Sequence, residues 1–342
     1  MKPLAVRITA DADLRDRNTL RIAARAKFLA EVEDIDALPE LLQSRDFAAL
    51  PLLVIGEGSN LLLTQNVDGL VLCLRNRAIG IVDERDGRAT VRAEAGVRWD
   101  ELVDWSLQRG LAGIENLALI PGLCGAAPIQ NIGAYGVEIS DTLDAVEAFD
   151  LLAHRQLMLS RDECSFGYRD SVFKQQPGRY IVTAIRLRLA RNPPLRIDYA
   201  GLREELAAMQ VEHIDAASVA AAVRNLRRRK LPQPEVLANA GSFFKNPIVA
   251  VAKAQALIAE FPSMPQWPID AERCKLGAAW MIEQAGCKGY RLGDAGVAAG
   301  HALVLVNHGH ASGAELIAVA RHVQHAVAQK FNVHIEPEPV IV

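Results

Sequence analysis

The stretch Asn116–Val137, NLALIPGLCGAAPIQNIGAYGV, contains no charged residue. Its apolar character would suit a membrane-spanning helix, but two prolines, four glycines and three side-chain amides break a helix and are costly in lipid. Glycine also permits positive φ and close approach by another group. The stretch is therefore predicted to be a long loop that cradles a large ligand, with a buried connection between strands as the alternative.

The composition narrows the class of protein. The chain has 342 residues, half of them hydrophobic, which predicts two or three domains with substantial cores. A net charge of −3 gives no general attraction to nucleic acid, and the N-terminal residues lack the apolar core of a signal peptide. The five cysteines form no CxxC pair and the histidines are scattered, so we expect reduced thiols, a cytoplasmic protein and no metal site.

The hydrophobic pattern predicts a mixture of strands and helices. Their uneven order favours an α+β fold over a regular doubly wound sheet. Apolar runs or alternation predict strands over 52–55, 71–74, 89–95, 145–152 and 180–189. Helical spacing predicts helices over 100–109, 216–229, 249–261, 277–284 and 312–331, the last with a capping box formed by Ser312 and Glu315.

Gly56–Asn60, GEGSN, follows the first of these strands as a tight turn. It lacks the third glycine and the following helix of a dinucleotide-binding fingerprint. Its successive main-chain N–H groups remain suited to a pyrophosphate, and a plain turn is the alternative.

Two further motifs contain side chains suited to ligand binding or catalysis. In Phe166–Ser171, FGYRDS, Arg169 offers a rigid fork for a carboxylate or phosphate, unless it only pairs with Asp170. In Asn239–Pro247, NAGSFFKNP, Ser242 lies among small and apolar residues and suits proton donation to a carbanion, unless it only caps a helix or turn.

The basic run Arg227–Lys230 and the tail His334–Glu338 are less specific. The basic run is either a solvated helix end or a phosphate contact. In an extended tail, His334, Glu336 and Glu338 share one face, which matters only if the tail folds back onto the active site.

Taken together and in this order, GEGSN, PGLCGAAPIQNIGAYG, FGYRDS and NAGSFFKNP resemble the UDP-N-acetylenolpyruvoylglucosamine reductases, in their longer subtype. The resemblance covers the chain from about Asn18 to Val342. It implies a two-subdomain FAD-binding region of the vanillyl-alcohol-oxidase type and a C-terminal α+β substrate domain. The implied boundaries are 1–74 with 332–342 for the first FAD subdomain, 75–229 for the second, and 230–331 for the substrate domain.

The resemblance also implies the chemistry. Hydride from N5 of non-covalently bound FAD, reduced by NADPH, would add to the terminal carbon of UDP-N-acetylglucosamine enolpyruvate and give UDP-N-acetylmuramate for peptidoglycan. Arg169 and Glu338 would stabilise negative charge, and Ser242 would protonate the α carbon. We expect a monomer whose partners are the UDP-sugar and NADPH, with no nucleic acid and no membrane.

The remaining site residues follow from the same motifs. Contacts to FAD are implied for Gly56, Glu57, Gly58, Ser59, Asn60, Pro121, Gly122, Gly125, Ala126, Ala127, Ile132, Gly136, Val182 and Arg227. Contacts to substrate are implied for Tyr199, Lys230, Asn246, Trp267 and Lys288.

Several positions depart from the family pattern. Ala126 and Ala127 stand where serines are common, which removes hydroxyl contacts to the flavin. Trp267 replaces a tyrosine, and Pro339 follows Glu338 where a β-branched residue is usual. Two other classes stay open on the residues alone: a different flavin oxidoreductase of this fold, such as an alcohol oxidase, and a non-catalytic flavin or nucleotide-sugar binder.

Overall fold

The computed structural model describes residues 5–342. Strands and helices alternate irregularly, as predicted for an α+β fold. The strands are β1 (Val6–Asp13), β2 (Arg25–Val32), β3 (Leu52–Val54), β4 (Leu61–Leu62), β5 (Val67–Leu74), β6 (Ile79–Arg85), β7 (Arg88–Glu94), β8 (Gly133–Ala134), β9 (Val137–Glu138), β10 (Leu143–Asp150), β11 (Arg155–Ser160), β12 (Tyr180–Ala190), β13 (Ala238–Ser242), β14 (Ile248–Ala250), β15 (Gln266–Pro268), β16 (Arg273–Leu276), β17 (Arg291–Leu292), β18 (Ala295–Val297), β19 (Val304–Asn307) and β20 (Val340–Ile341).

The helices are α1 (Leu38–Gln43), α2 (Trp99–Leu107), α3 (Val172–Gln175), α4 (Leu202–Ala208), α5 (Ala216–Lys230), α6 (Val251–Glu260), α7 (Ala278–Gln284) and α8 (Gly313–Phe331). Within residues 5–342, no helix combines the length and the apolar run needed to cross a bilayer.

The chain forms two compact units. The first comprises residues 5–12, Ala26–Glu57 and Val67–Arg229; the second comprises Asp13–Arg25, Gly58–Asn66 and Lys230–Val342. The chain enters the second unit for the last time between Arg229 and Lys230. The predicted domain boundaries, 1–74 with 332–342, 75–229 and 230–331, stay predictions.

Two sheets build the first unit. One has the order β1-β2-β5-β3, in which β2, β5 and β3 run parallel. The other is antiparallel, in the order β11-β10-β12-β7-β6. Strand β12 is at its centre and buries Ile181, Ile185, Leu187 and Leu189, which agrees with the predicted alternation.

The second unit contains an antiparallel sheet in the order β13-β19-β18-β17 and a three-stranded sheet in the order β14-β16-β15. Helix α8 begins with the predicted capping box, in which Ser312 Oγ accepts from Glu315 N–H and the Glu315 carboxylate accepts from Ser312 N–H at 2.7 Å. It ends at Asn332, a left-handed residue that turns the chain into the extended tail. Strand β20 of that tail pairs in parallel with β4.

Candidate active site

A cavity of about 250 Å³ lies within the first unit. It is bounded by the end of β3, by β12 and by the uncharged loop. Four residues implied to contact FAD line it: Gly56, Gly125, Ala126 and Val182. The other lining residues include Ile55, Leu123, Ile129 and Tyr180, so the wall is largely apolar. Such a wall suits a flat aromatic group such as an isoalloxazine ring.

The uncharged loop packs closely against the strand ends of this unit. Gly125 N–H donates to Ala95 O at 3.0 Å, and a Cβ added at Gly125 would lie 2.7 Å from Ala95 Cβ. The close approach that the glycines predict is therefore present. A larger residue at this position would force the loop or Ala95 to shift, so the close packing of this cavity wall requires glycine.

The loop also bends through left-handed conformations. Positive φ occurs at Leu119, Gly122, Asn131, Tyr135 and Gly136. Half of its residues are buried, among them Gly122, Ala127 and Ile132, while Pro121, Ala126 and Gly136 are exposed. The loop thus forms a folded layer of the first unit with a few exposed positions that remain accessible to a ligand.

The GEGSN turn is divided between the two units. Gly56 and Glu57 belong to the first, where the Glu57 carboxylate pairs with Arg98 at 3.0 Å. Gly58, Ser59 and Asn60 belong to the second. Gly58 has a φ of +64°, and a Cβ there would lie 2.3 Å from Arg17 O, so this position also requires glycine.

Arg169 lies at the tip of a tight hairpin in the first unit. Gly167 and Asp170 exchange two main-chain hydrogen bonds, and Arg169 has a φ of +55°. A non-glycine residue in this region is strained, and such strain gathers at functional sites. The Arg169 guanidinium donates to Gly133 O at 2.8 Å and to Asn131 O at 3.4 Å, which orients it along the uncharged loop.

The same hairpin is bound to the loop by two further side chains. Asn131 Nδ2 donates to Gly167 O at 3.0 Å, and Ser171 Oγ donates to Ile129 O at 2.6 Å. The arginine and the glycine-rich loop, separate motifs in the sequence, therefore form one hydrogen-bonded assembly.

A second arginine of the first unit approaches this assembly from α5. Arg227 Nε donates to Leu119 O at 3.2 Å. Burial lowers the pKa of Arg227; the Tyr135 hydroxyl and Asp100 oppose that change, and the charge of Arg169 adds to it. Burial also raises the pKa of Tyr135, whose ring packs edge to face on Tyr199 at 5.2 Å.

Two of the site residues implied by the resemblance, Arg227 and Tyr199, thus interact with Tyr135, and a third, Arg169, interacts with Arg227 and binds the same loop at Gly133. Two cationic groups at one site favour an anionic ligand. Tyr135 lies inside the uncharged loop, but no pattern in the sequence assigns it a role of its own.

Ser242 and Glu338 lie together in the second unit. Ser242 is the last residue of β13, so the alternative that it caps a helix is wrong. The C-terminal tail folds back against the segment that follows Ser242. Phe244 forms an antiparallel bridge with Pro337. Glu338 N–H donates to Phe243 O at 2.7 Å, and Lys245 N–H donates to Glu336 O at 3.0 Å. The tail acid is therefore held beside the strand that ends in the serine.

Lys230, Lys288 and His301 form a basic group in the second unit. The half-buried His301 has its pKa lowered by burial, then by the charges of Lys230 and Lys288, while Glu283 raises it. Lys288 Nζ donates to Glu283 at 2.8 Å. His301 Nδ1 accepts from Leu303 N–H at 3.3 Å. No sequence pattern connects His301 with the two lysines, because only the fold brings them together.

The other two substrate positions differ in their surroundings. Asn246 Oδ1 accepts from Ala278 N–H at 3.0 Å, at the start of α7, which orients its amide. Trp267 lies on β15 with 41% of its surface exposed and the Lys275 ammonium 5.7 Å from its ring centroid. Among residues 5–342, no three His, Cys, Asp or Glu side chains are grouped to hold a metal ion.

Known proteins with the same fold indicate the class of protein to which this chain belongs. Residues 26–153 match the FAD binding domain family, and the structures of a solvent-stable cholesterol oxidase and of 6-hydroxy-D-nicotine oxidase from Arthrobacter nicotinovorans share the fold, each with a TM-score of 0.51 at 12% and 13% identity. They cover 97% and 98% of this chain, which spans 87% and 88% of theirs. The chain is a flavoprotein oxidoreductase whose FAD-binding region is of the vanillyl-alcohol-oxidase type, as predicted.

The family follows from a match to the C-terminal domain and from matches over nearly the whole chain. Residues 233–342 match the C-terminal domain of UDP-N-acetylenolpyruvoylglucosamine reductase. Proteins of that name from Xanthomonas axonopodis pv. citri and Xanthomonas campestris pv. campestris (strain B100) are each 52% identical, over 98% and 99% of this chain and 96% and 97% of theirs. The Thermus caldophilus enzyme structure matches with a TM-score of 0.69 at 26% identity over 98% of both chains. The chain belongs to the UDP-N-acetylenolpyruvoylglucosamine reductase family and is an NADPH-dependent, FAD-containing enzyme of peptidoglycan precursor synthesis.

Proposed function

We propose that Arg169, Ser242 and Glu338 are the catalytic residues when NADPH-reduced FAD reduces the enolpyruvyl group of UDP-N-acetylglucosamine enolpyruvate to the lactyl group of UDP-N-acetylmuramate. The observation that carries the proposal is the pairing of the tail with the strand segment after Ser242, through the 2.7 Å hydrogen bond from Glu338 N–H to Phe243 O. It places the main chain of Glu338 beside the segment that follows Ser242, nearly a hundred residues earlier in the sequence. When bound, FAD supplies the hydride, from N5, to the terminal carbon of the enol ether.

Each of the three residues then has a distinct task. Hydride addition leaves negative charge on the neighbouring carbon and in the substrate carboxylate. Arg169 would bind that carboxylate with its planar fork, and its main-chain partners on the loop pre-orient it for this role. Glu338, in its protonated form, would add a hydrogen bond to the same charge. Ser242 would deliver the proton to the α carbon.

The binding roles are proposed from the same geometry. Gly56, Gly125, Ala126 and Val182 would contact the isoalloxazine through the cavity that they line. Gly58–Asn60 and the remaining loop positions would contact the rest of FAD through main-chain groups. Arg227 would complement a phosphate or the flavin edge, since burial in the first unit makes its charge costly and an anionic ligand would offset that cost.

Five residues are proposed for the nucleotide sugar. Lys230 and Lys288 would bind the diphosphate with His301 beside them. Asn246, with its oxygen engaged at α7, would present its amide nitrogen. Tyr199 and Trp267 offer exposed aromatic faces for stacking. We further propose a cytoplasmic monomer whose partners are this substrate and NADPH.

The proposal is tested by the spectrum of the purified protein. It should be yellow, lose the flavin absorbance on anaerobic addition of NADPH, and regain it when the enolpyruvyl sugar nucleotide is added. Oxygen consumption with alcohols, without reoxidation by the sugar nucleotide, would instead indicate another flavin oxidoreductase. Protein that cannot be reconstituted with FAD would overturn the assignment.

A further inference from the structure

Glu338 is held through both of its main-chain polar groups. Its N–H donates to Phe243 O at 2.7 Å, and its carbonyl accepts from Asn60 Nδ2 at 3.3 Å. Asn60 also accepts a main-chain hydrogen bond from Val340 N–H at 3.0 Å. Asn60 therefore binds the tail on both sides of Pro339.

The tail sequence limits the freedom of Glu338 further. Glu338 lies between Pro337 and Pro339. A residue that precedes proline is restricted to extended conformations, and proline itself has a nearly constant φ. Pro339, which departs from the family pattern, thus restricts the backbone that carries the acid.

From these contacts we propose that Asn60 is a positioning residue for Glu338, in addition to its place in the flavin-binding turn. The inference rests on the proposed catalytic role of Glu338. The amide of Asn60 sets where the Glu338 main chain lies, and the side chain of Glu338 leaves from that point. A carboxyl group that stabilises the negative charge formed in the reaction must be placed accurately, and a displacement of a fraction of an ångström lowers the reaction rate.

The chain offers a matched control four residues away. Thr64 Oγ1 donates to Val342 O at 2.7 Å, so Thr64→Ala also removes one side-chain hydrogen bond between a residue flanking β4 and the tail. It leaves the contact at Glu338 in place. If the contacts between this segment and the tail were merely structural, both variants would change the rate of reoxidation by the same factor.

The test separates the two half-reactions in the FAD-loaded protein. We expect Asn60→Ala to slow reoxidation by the enolpyruvyl sugar nucleotide about tenfold, with Thr64→Ala within about twofold of the parent. In the Glu338→Gln background, Asn60→Ala should cause little further loss, because the two residues act as one unit. Losses that multiply, or a loss confined to FAD content or to reduction by NADPH, would overturn the proposal.

Hydrogen exchange of the tail provides a readout that is independent of activity. Asn60→Ala should speed exchange of the amides of Glu338 and Val340 more than Thr64→Ala does. Unchanged exchange in Asn60→Ala would overturn the anchoring role. Faster exchange in Asn60→Ala together with parent-like reoxidation in Glu338→Gln would disprove the catalytic role of Glu338. The positioning proposal would then be wrong as well, although Asn60 would still be shown to hold the tail in place.

Discussion

Arg169 donates from its guanidinium to the main-chain carbonyl of Gly133 at 2.8 Å, and this contact joins a catalytic candidate to the glycine-rich loop. With the second hydrogen bond to Asn131 O, it holds the planar group in one orientation. A lysine at this position keeps the charge but cannot reproduce the fork.

We therefore expect Arg169→Lys to reduce the rate of reoxidation by substrate about 100-fold, since the negative charge of the intermediate is then less well met. Reduction of the flavin by NADPH should change much less. Stopped-flow absorbance of each half-reaction measures both. Arg155→Lys, on the exposed end of β11, is the control. Equal slowing of both half-reactions would contradict a role at the substrate carboxylate.

Ser242→Ala should retain the flavin spectrum and bleach normally with NADPH. Reoxidation should be slower by about 100-fold or more, because the α carbon then lacks its proton donor. Ser263→Ala, in the exposed turn after α6, removes a hydroxyl without such a role. Rapid-mixing absorbance follows the return of oxidised flavin, and parent-like rates in Ser242→Ala would remove Ser242 from the mechanism.

Gly125→Ala should damage the flavin cavity. The added methyl group would lie 2.7 Å from Ala95 Cβ, so the loop must move, at about 1–3 kcal/mol. We expect a lower unfolding temperature and weaker retention of FAD on gel filtration. Gly80→Ala is the matched control, because no atom lies within 4 Å of its added Cβ. Full FAD occupancy in Gly125→Ala would argue that the cavity is not the flavin site.

His301 predicts a pH dependence of stability. Because burial and two lysines lower its folded pKa, the unfolded chain binds the proton more readily. The stability associated with neutral His301 is present above the ordinary histidine pKa of about 6.5, and it is lost as the pH falls below that value. Denaturant unfolding between pH 5 and pH 8 should therefore show a shallower acid decline in His301→Gln than in the parent. His334→Gln, an exposed tail residue, should leave the slope unchanged.

The sequence predicted those elements whose pattern is strong. Alternation located β12, and helical periodicity with its capping box located α8. Small boundary errors have local causes: the helix predicted from residue 249 starts at Val251, because Ile248–Ala250 pairs with β16. Strand β13, ANAGS, escaped prediction as a strand because alanine and glycine have low strand propensity, and only its pairing with β19 makes it one.

The sequence predicted which motifs contribute residues to the site, but it did not predict how those residues are arranged in space. The motifs indicated that Arg169, Ser242 and Glu338 matter, through the resemblance of the whole series. They gave no sign that Asn60 binds the carbonyl of a residue 278 positions away, or that His301 meets two lysines. Such contacts depend on tertiary pairing of segments that no local pattern connects.

Cys124 lies within the glycine-rich loop and is fully buried, and burial raises the pKa of its thiol. The thiolate that would be needed to form a thioether with the isoalloxazine is therefore suppressed. We therefore expect no covalent bond from Cys124 to the flavin, and we expect the bound FAD to exchange for synthetic analogues, such as deazaflavins or ring-substituted derivatives. The polypeptide is thus a suitable host for measuring how reaction rate varies with the electronic character of the ring.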